Sequence, residues 1–393
     1  MQSKPLYCTK QGRAFVGDAL ALLNELPDES IDLVMTSPPF ALRRPKSYGN
    51  VEETEYVTWI TPFSKEVFRV LKISGSFVLD LGGAYRAGIP SRSLYNFRVL
   101  LTLCDDVGFH LAEDFYWFNP AKLPSPIEWV NKRKIRAKDS VNTIWWFGKT
   151  DTPKADVRKV LAPYSERMKK LIQDPDSFYK PKKRPSGHDI SAHFGKDNGG
   201  AIPSNLLTIP NTDSNSSYLW LCKELGLQRH PARFPAELPS FFIKMLTDEG
   251  DIVLDIFGGS NTTGFAAEAL RRKWLTFEQD KDYLVSSAFR FLEGRSVESI
   301  RCILEQLQAD NASLVLDDIV CSLGSERKAK TSRDALEDIT SDARQMVLLE
   351  GRKIYKAQPG VPANGSQPIR SETNRTSSAA GSRRCPLRSA TKK

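Results

Sequence analysis

Short apolar runs that alternate with helical spacing constrain this chain more than any other feature. Ile31–Met35 (IDLVM) is a strand-like run that must stop at Thr36-Ser-Pro-Pro39, because proline removes ladder donors. Tyr56, Ile60, Phe63, Val67, Val70 and Leu71 then recur at helical spacing, predicting a helix over Glu53–Leu71 that ends near Gly75. Ser76–Leu81 (SFVLDL) reads as a second strand running into Gly82-Gly83. The spacing predicts a helix over Ser93–Cys104 and strands over Ala112–Phe118 and Val141–Phe147. Strand, helix, strand and helix resume at Asp251–Phe257, Thr262–Arg271, Trp274–Glu278 and Tyr283–Leu292. Such alternation is the signature of an α/β sheet.

The 393 residues are 40% hydrophobic and 10% aromatic, enough to bury a large core, which excludes a wholly disordered or fibrous chain. No apolar run approaches roughly 18–20 residues, and the N-terminus has no apolar core with a cleavage site. Neither secretion nor membrane spanning is expected. Cys8, Cys104, Cys222, Cys302, Cys321 and Cys385 are scattered without a CxxC pair or zinc spacing. They read as free thiols of a cytoplasmic protein, with no metal site.

The formal net charge of +9 suggests an anionic partner. From Gly324 to Lys393 there are 15 Lys and Arg against 7 Asp and Glu, whereas residues 1–323 hold 41 against 40. The basicity is therefore mostly a property of the tail, which reads as disordered from Ala357 onwards, with a weakly patterned helix over Asp334–Leu349. Within the body, Asn119–Lys170 holds 13 basic and 5 acidic residues, and Lys180–Arg184 reads KPKKR. Such a run is either a solvated face or a polyanion contact. Of the aromatics nearby, Tyr116-Trp117 and Trp145-Trp146 lie in strand-like runs and read as core, and Trp129 lies outside them. Between Thr150 and Arg229 the pattern loosens into Pro, Gly, Asn, Ser and Lys, as loop-rich functional insertions do. The expected organisation is two catalytic-domain halves, 1–150 and 230–323, a loop-rich region at 151–229, and a basic tail at 324–393.

Two segments carry chemistry. Asp255-Ile-Phe-Gly-Gly-Ser-Asn-Thr-Thr-Gly264 lies between a strand and a helix, where glycines let a ligand approach the backbone. Glu278 ends the next strand, about twenty residues on, where an acid accepts bonds from ribose hydroxyls. A nucleotide-binding turn is one reading and a plain structural turn the other; the GxGxxG of dinucleotide enzymes is absent. Thr36-Ser37-Pro38-Pro39-Phe40 sits at the carboxyl end of a strand, where ligands of open α/β sheets bind. A rigid loop offering a hydroxyl, a carbonyl and an aromatic face suits a planar amino-heterocycle, though it is also a way to end a strand over a buried Phe.

The two segments together resemble the amino-methyltransferases of DNA, which use S-adenosylmethionine (AdoMet). Ser37-Pro-Pro-Phe40 is similar to the N4-cytosine members, whereas N6-adenine members more often carry Asp or Asn before the prolines. The catalytic segment precedes the cofactor segment, as in the permuted group called β. His230-Pro-Ala-Arg-Phe-Pro235 looks like that group's cofactor segment, and Gly17-Asp18-Ala-Leu resembles its turn against the AdoMet adenine. Strings such as LAEDFYWFNPAKLPSPIEWVNKRKIR, KVLAPYSERMKKL and HPARFPAELP carry the resemblance to N4-cytosine modification methylases through residues 15–293. Asn261 stands where the broader family commonly has glycine.

The resemblance implies a permuted class I AdoMet-dependent methyltransferase fold: a mainly parallel seven-stranded sheet, flanking helices and an inserted target-recognition region. Asp255, Phe257, Gly258, Gly259, Ser260 and Thr262 would surround AdoMet, Glu278 its ribose, and Asp18 its adenine amine or an adjacent polar group. His230, Arg233, Phe234 and Pro235 would close the methionine side, although His230 could equally be a packing histidine. Ser37, Pro38, Pro39 and Phe40 would hold the target base. Arg184, Ser186, His188, Lys196 and Asn198 include donors that read purine edges, unless they touch only phosphate or solvent. The implied reaction is methyl transfer to the N4 amine of a flipped cytosine in double-stranded DNA. Bonds to Ser37 and a nearby carbonyl would localise the amine lone pair, and the proton would leave through Ser37 or water. A covalent 5-methylcytosine route wants Pro-Cys, and none of the six cysteines follows a proline. The setting would be restriction–modification with a cognate endonuclease. If specificity follows the resemblance, the site is CAGCTG with its inner cytosine modified. Alternatives are adenine N6 methylation on the same fold and sequence-specific DNA binding without catalysis.

Overall fold

The computed structural model describes residues 1–41, 51–175, 185, 195–212 and 216–318, all within one compact unit, Met1–Glu337. In chain order the elements are β1 (Tyr7–Cys8), β2 (Gly12–Val16), α1 (Ala19–Asn24), β3 (Ile31–Thr36), α2 (Tyr56–Val70), β4 (Leu71–Leu81) and α3 (Tyr95–Thr102). There follow β5 (His110–Phe118), β6 (Val141–Gly148), α4 (Glu166–Gln173), β7 (Leu206–Thr208), α5 (Ser217–Glu224) and α6 (Glu237–Leu246). The last are β8 (Ile252–Asp255), α7 (Thr262–Ala269), β9 (Lys273–Glu278), α8 (Lys281–Ser287), α9 (Val297–Gln308) and β10 (Leu314–Val315).

The strands form one mixed sheet in the order β10-β1-β2-β9-β8-β3-β4-β6-β5-β7. Adjacent strands from β2 to β4 are parallel, β6 pairs antiparallel with both β4 and β5, and β7 pairs parallel with β5. Seven of the ten have four or more residues, the number the resemblance implies. The additional three are stubs of two or three residues, β10 and β1 on one flank and β7 on the other. Short strands at a sheet's flanks limit the open pairing edge that a long terminal strand would present.

Period-two alternation puts the central strands between two layers. Val34, Leu79 and Leu254 pack with Leu23, Ile60, Val67 and Val99 of the first three helices. Leu33, Met35, Val78 and Val253 face Leu219, Phe242, Leu246 and Phe289 on the opposite side. Every residue of β3 is buried, as a strand covered on both faces requires. Helix α2 ends at Val70 and β4 starts at once, earlier than the Gly75 stop predicted, because Leu71 turns extended and pairs with Ile31. Helices α6 and α9 and strand β2 were not anticipated. The 151–229 segment contributes to the body: β7 pairs with β5, and Tyr218, Leu219, Leu221 and Cys222 of α5 join the core. Trp117, Trp129, Trp145 and Trp146 are all buried, while Tyr116 is exposed.

Among the described residues, Cys8, Cys104, Cys222 and Cys302 are free thiols, no acid, His and Cys group is placed to hold a metal, and no helix is long and apolar enough to cross a membrane. The predicted helix at Asp334–Leu349 and the remainder of the tail lie outside the described residues.

Candidate active site

Parallel β9, β8, β3 and β4 end side by side, so Glu278, Asp255, Thr36 and Leu81 come to one edge of the sheet. Two prolines then stop β3 from continuing. The Thr36 hydroxyl donates to Asp255 Oδ1 at 2.7 Å, tying the start of the Pro-Pro loop to the start of the glycine turn. The Tyr56 hydroxyl donates to the Pro39 carbonyl at 2.7 Å, and Tyr95 donates to that of Gly82. Phe40 lies so close to Gly82 that a Cβ there would stand 2.6 Å from its ring. The loop is thereby held from both sides.

Ser37 points at an acid that the sequence reading left inside a plain strand. Its hydroxyl donates to Asp80 Oδ2 at 3.0 Å, and Asn142 Nδ2 donates to Oδ1 at 3.2 Å. Burial pushes the Asp80 carboxyl up to about 6, against the pull of these two bonds and of the Lys122 ammonium. An acid so placed ionises near neutral pH and is held in one orientation.

The glycine turn is braced as firmly. Asp255 Oδ2 accepts from the Thr263 hydroxyl at 2.7 Å and Oδ1 from Phe257 N at 3.1 Å. Gly259 has φ +51°, and its N–H donates to Glu278 Oε2 at 2.7 Å. A side chain there would be strained in backbone and would strike the His230 ring, 2.9 Å from the Cβ position. Glu278 Oε1 accepts from Asp280 N at 2.9 Å, and burial raises its carboxyl above the ordinary range. Asn261 adopts φ +53°, which Asn tolerates far better than most residues, and this accounts for its place where glycine is common. Its Oδ1 caps Gly264 N and accepts from Thr276, while its Nδ2 donates to the Tyr7 hydroxyl at 2.9 Å. Arg290 Nε donates to the Ser260 carbonyl at 2.6 Å from behind.

A single cavity of about 1070 Å³ joins both segments. Its walls include Ser37, Pro38, Pro39 and Phe40 together with Asp18, His230, Arg233, Phe234, Phe257, Gly258, Gly259, Ser260, Thr262 and Glu278. Asp255 and Pro235 are not on the wall; Asp255 is buried and acts as a brace. Asp18 Oδ1 caps α1 by accepting from Ala21 N, while its residue still borders the cavity. His230 packs edge-on against Tyr283, with centroids 4.7 Å apart. Lys196 and Asn198 are exposed and away from the cavity wall, and Arg184, Ser186 and His188 lie outside the described residues. The cavity also recruits Asp80, Trp117, Asn119, Lys122 and Asn142, none of which was anticipated as a site residue. The available signal for Asp80 was a lone carboxylate near the end of an otherwise apolar buried strand.

Residues 31–289 match the N6 and N4 methyltransferase family described as DNA methylase. The type II methyltransferase M.PvuII of Proteus hauseri is 62% identical over 318 residues, covering 81% of this chain and 94% of that one. M.BglII of Bacillus subtilis is 27% identical over 296 residues, covering 73% and 70%. Among solved structures, the PvuII DNA methyltransferase, described as cytosine-N4-specific, superposes with a TM-score of 0.67 at 53% identity, covering 81% of this chain and 99% of that one.

Proposed function

Since the chain belongs to the DNA methylase family of N6 and N4 methyltransferases, we propose that it methylates the N4 amine of cytosine in double-stranded DNA with AdoMet as donor. The observation that carries this reading is one cavity with Ser37, Asp80 and Asn142 on its wall beside a glycine turn whose left-handed positions are filled by Gly259 and Asn261. The turn fits AdoMet: Gly259 leaves a cradle that a Cβ would fill, and the Glu278 carboxylate keeps lone pairs for ribose hydroxyls beyond those bound to Gly259 and Asp280. Gly258, Gly259, Ser260 and Thr262 hold the cofactor there, Asp18 and Glu278 its nucleoside, and His230, Arg233 and Phe234 its methionine end. When bound, AdoMet supplies an electrophilic methyl on a sulfonium.

The chain's own residues prepare the amine. Asp80 takes the Ser37 hydrogen, so the Ser37 oxygen faces the cavity as an acceptor. Accepting from an N4 hydrogen withdraws the amine lone pair from the ring and aims it, which is catalysis by positioning and electrostatics. The proton released on methylation passes to Ser37 Oγ as the Ser37 proton moves to Asp80, then to water. A carboxyl poised near 6 accepts it and releases it again at neutral pH. Pro38, Pro39 and Phe40 present a rigid apolar face to the extruded base. The 151–229 segment reads the sequence, with Lys196 and Asn198 among its contacts, and CAGCTG is the expected site. Modification of that site protects it from a cognate endonuclease, which is a functional and not a physical partner.

The test is incubation of purified protein with labelled AdoMet and duplex DNA, followed by nucleoside analysis of the product. 4-Methylcytosine is expected; 6-methyladenine or 5-methylcytosine alone would overturn the assignment.

A further inference from the structure

Leu123 is 80% exposed, the most exposed large hydrophobic side chain among the described residues. A single apolar residue on a surface is ordinary. Three observations set this one apart. It directly follows Lys122, whose side chain borders the catalytic cavity and whose charge reaches Asp80. The backbone that precedes it is clasped: Asn119 Oδ1 accepts from Ala121 N at 3.1 Å, and Lys138 Nζ donates to the carbonyls of Pro120 and Lys122 at 3.1 and 3.3 Å. The strand ladder continues at the base of the segment, where Asn119 N donates to the Ser140 carbonyl at 2.9 Å, and Asp139 N donates to Ser125 O at 2.8 Å. A bare leucine thus stands out into solvent one residue beyond a member of the cavity wall, on a segment whose preceding backbone is fixed. Finally, the flanks are cationic, with Lys132, Arg133, Lys134, Arg136 and Lys138 on the same short segment, and Ile127 a second exposed apolar residue there.

Water gains nothing from this arrangement, but an opened duplex does. Removing cytosine from the stack leaves a gap one base thick between apolar ring faces, bordered by phosphates. An aliphatic wedge fills such a gap and recovers part of the unstacking cost, and basic neighbours hold the backbone around it. We propose that Leu123 is the wedge that occupies the space vacated by the target cytosine, with Lys122 between it and the base pocket. The proposal rests on the base-methylation reading above.

The test compares single-turnover methyl transfer by wild type and Leu123→Ala on two duplexes carrying the mapped site. In one the target cytosine is paired with guanine; in the other an abasic site stands opposite, so that extrusion costs little. On the paired duplex the variant should be about 10- to 100-fold slower, and on the unpaired one within about threefold of wild type, because only the first needs the wedge. The fluorescence rise of 2-aminopurine at the target position should appear with wild type and be lost with Leu123→Ala, and Leu123→Phe should restore both. Equal rates on the paired duplex, or the same loss on both duplexes, would overturn the wedge. A wild type that transfers nothing to either duplex would overturn the methylation reading itself.

Discussion

Asp80→Asn should make the protein more stable near neutral pH while disabling it. Burial lifts this carboxyl from an ordinary 3.8 to about 6. Holding it ionised above that pH therefore costs the folded state about 3 kcal/mol, at 1.36 kcal/mol per pH unit. The sign follows from proton binding. Between these two values the folded protein keeps a proton that the unfolded chain releases, so stability contributed by Asp80 is complete below about 4 and lost as pH rises through about 6. Asparagine removes the charge at nearly constant shape. Its single carbonyl oxygen can satisfy only one of the Ser37 and Asn142 donors, so the net gain at pH 8 should be about 1–3 kcal/mol. Denaturant unfolding of both proteins at pH 8 and at pH 4.5 measures it, and the gain should shrink at the lower pH. Transfer should meanwhile fall by about 30- to 1000-fold, the loss of roughly 2–4 kcal/mol of electrostatic stabilisation. The wild-type rate should rise with pH through about 6 and then level, an inflection the variant lacks. An Asn variant no more stable at pH 8, or stabilised equally at both pH values, would refute the reasoning.

Ser37→Ala should leave AdoMet affinity nearly unchanged, by titration without DNA, and slow transfer at saturating cofactor about 30- to 1000-fold; lost AdoMet binding would remove Ser37 from the base side. Glu278→Ala should act first on the cofactor, weakening AdoMet by roughly 1–3 kcal/mol, because it removes the ribose acceptor and frees the Gly259 N–H; unchanged affinity would contradict that. A chain ending at Ser325 loses most of the net positive charge, so it should keep its site choice and bind DNA less tightly at low salt. Removing each Lys or Arg that neutralises a phosphate should lower the log–log salt slope by up to ~0.9, and an altered site preference would sink the idea.

What the sequence by itself determined is local. Strand and helix periodicity, the Pro-Pro stop after Thr36 and the glycine turn after Asp255 each depend on sterics within a few residues, and each is observed close to where the pattern puts it. His230, Arg233 and Phe234, singled out by resemblance, border the cavity. What only the tertiary structure decided is every partnership set by strand register. Asp80 meets Ser37 across 43 residues and Asn142 across 62, and Tyr7 reaches Asn261 across 254. The lone acid in SFVLDL is a signal in the sequence, but no local rule names the partners it meets. Its raised pKa exists only once folding has buried it. Leu123 and Lys122 look like any loop residues in the sequence. The antiparallel pairing of β5 and β6 is what brings Asn119, Lys122 and Ser140 of the segment between them to the cavity wall, with Leu123 next to Lys122. Short-range sterics write themselves into neighbouring residues, whereas burial and register are properties of the packed whole.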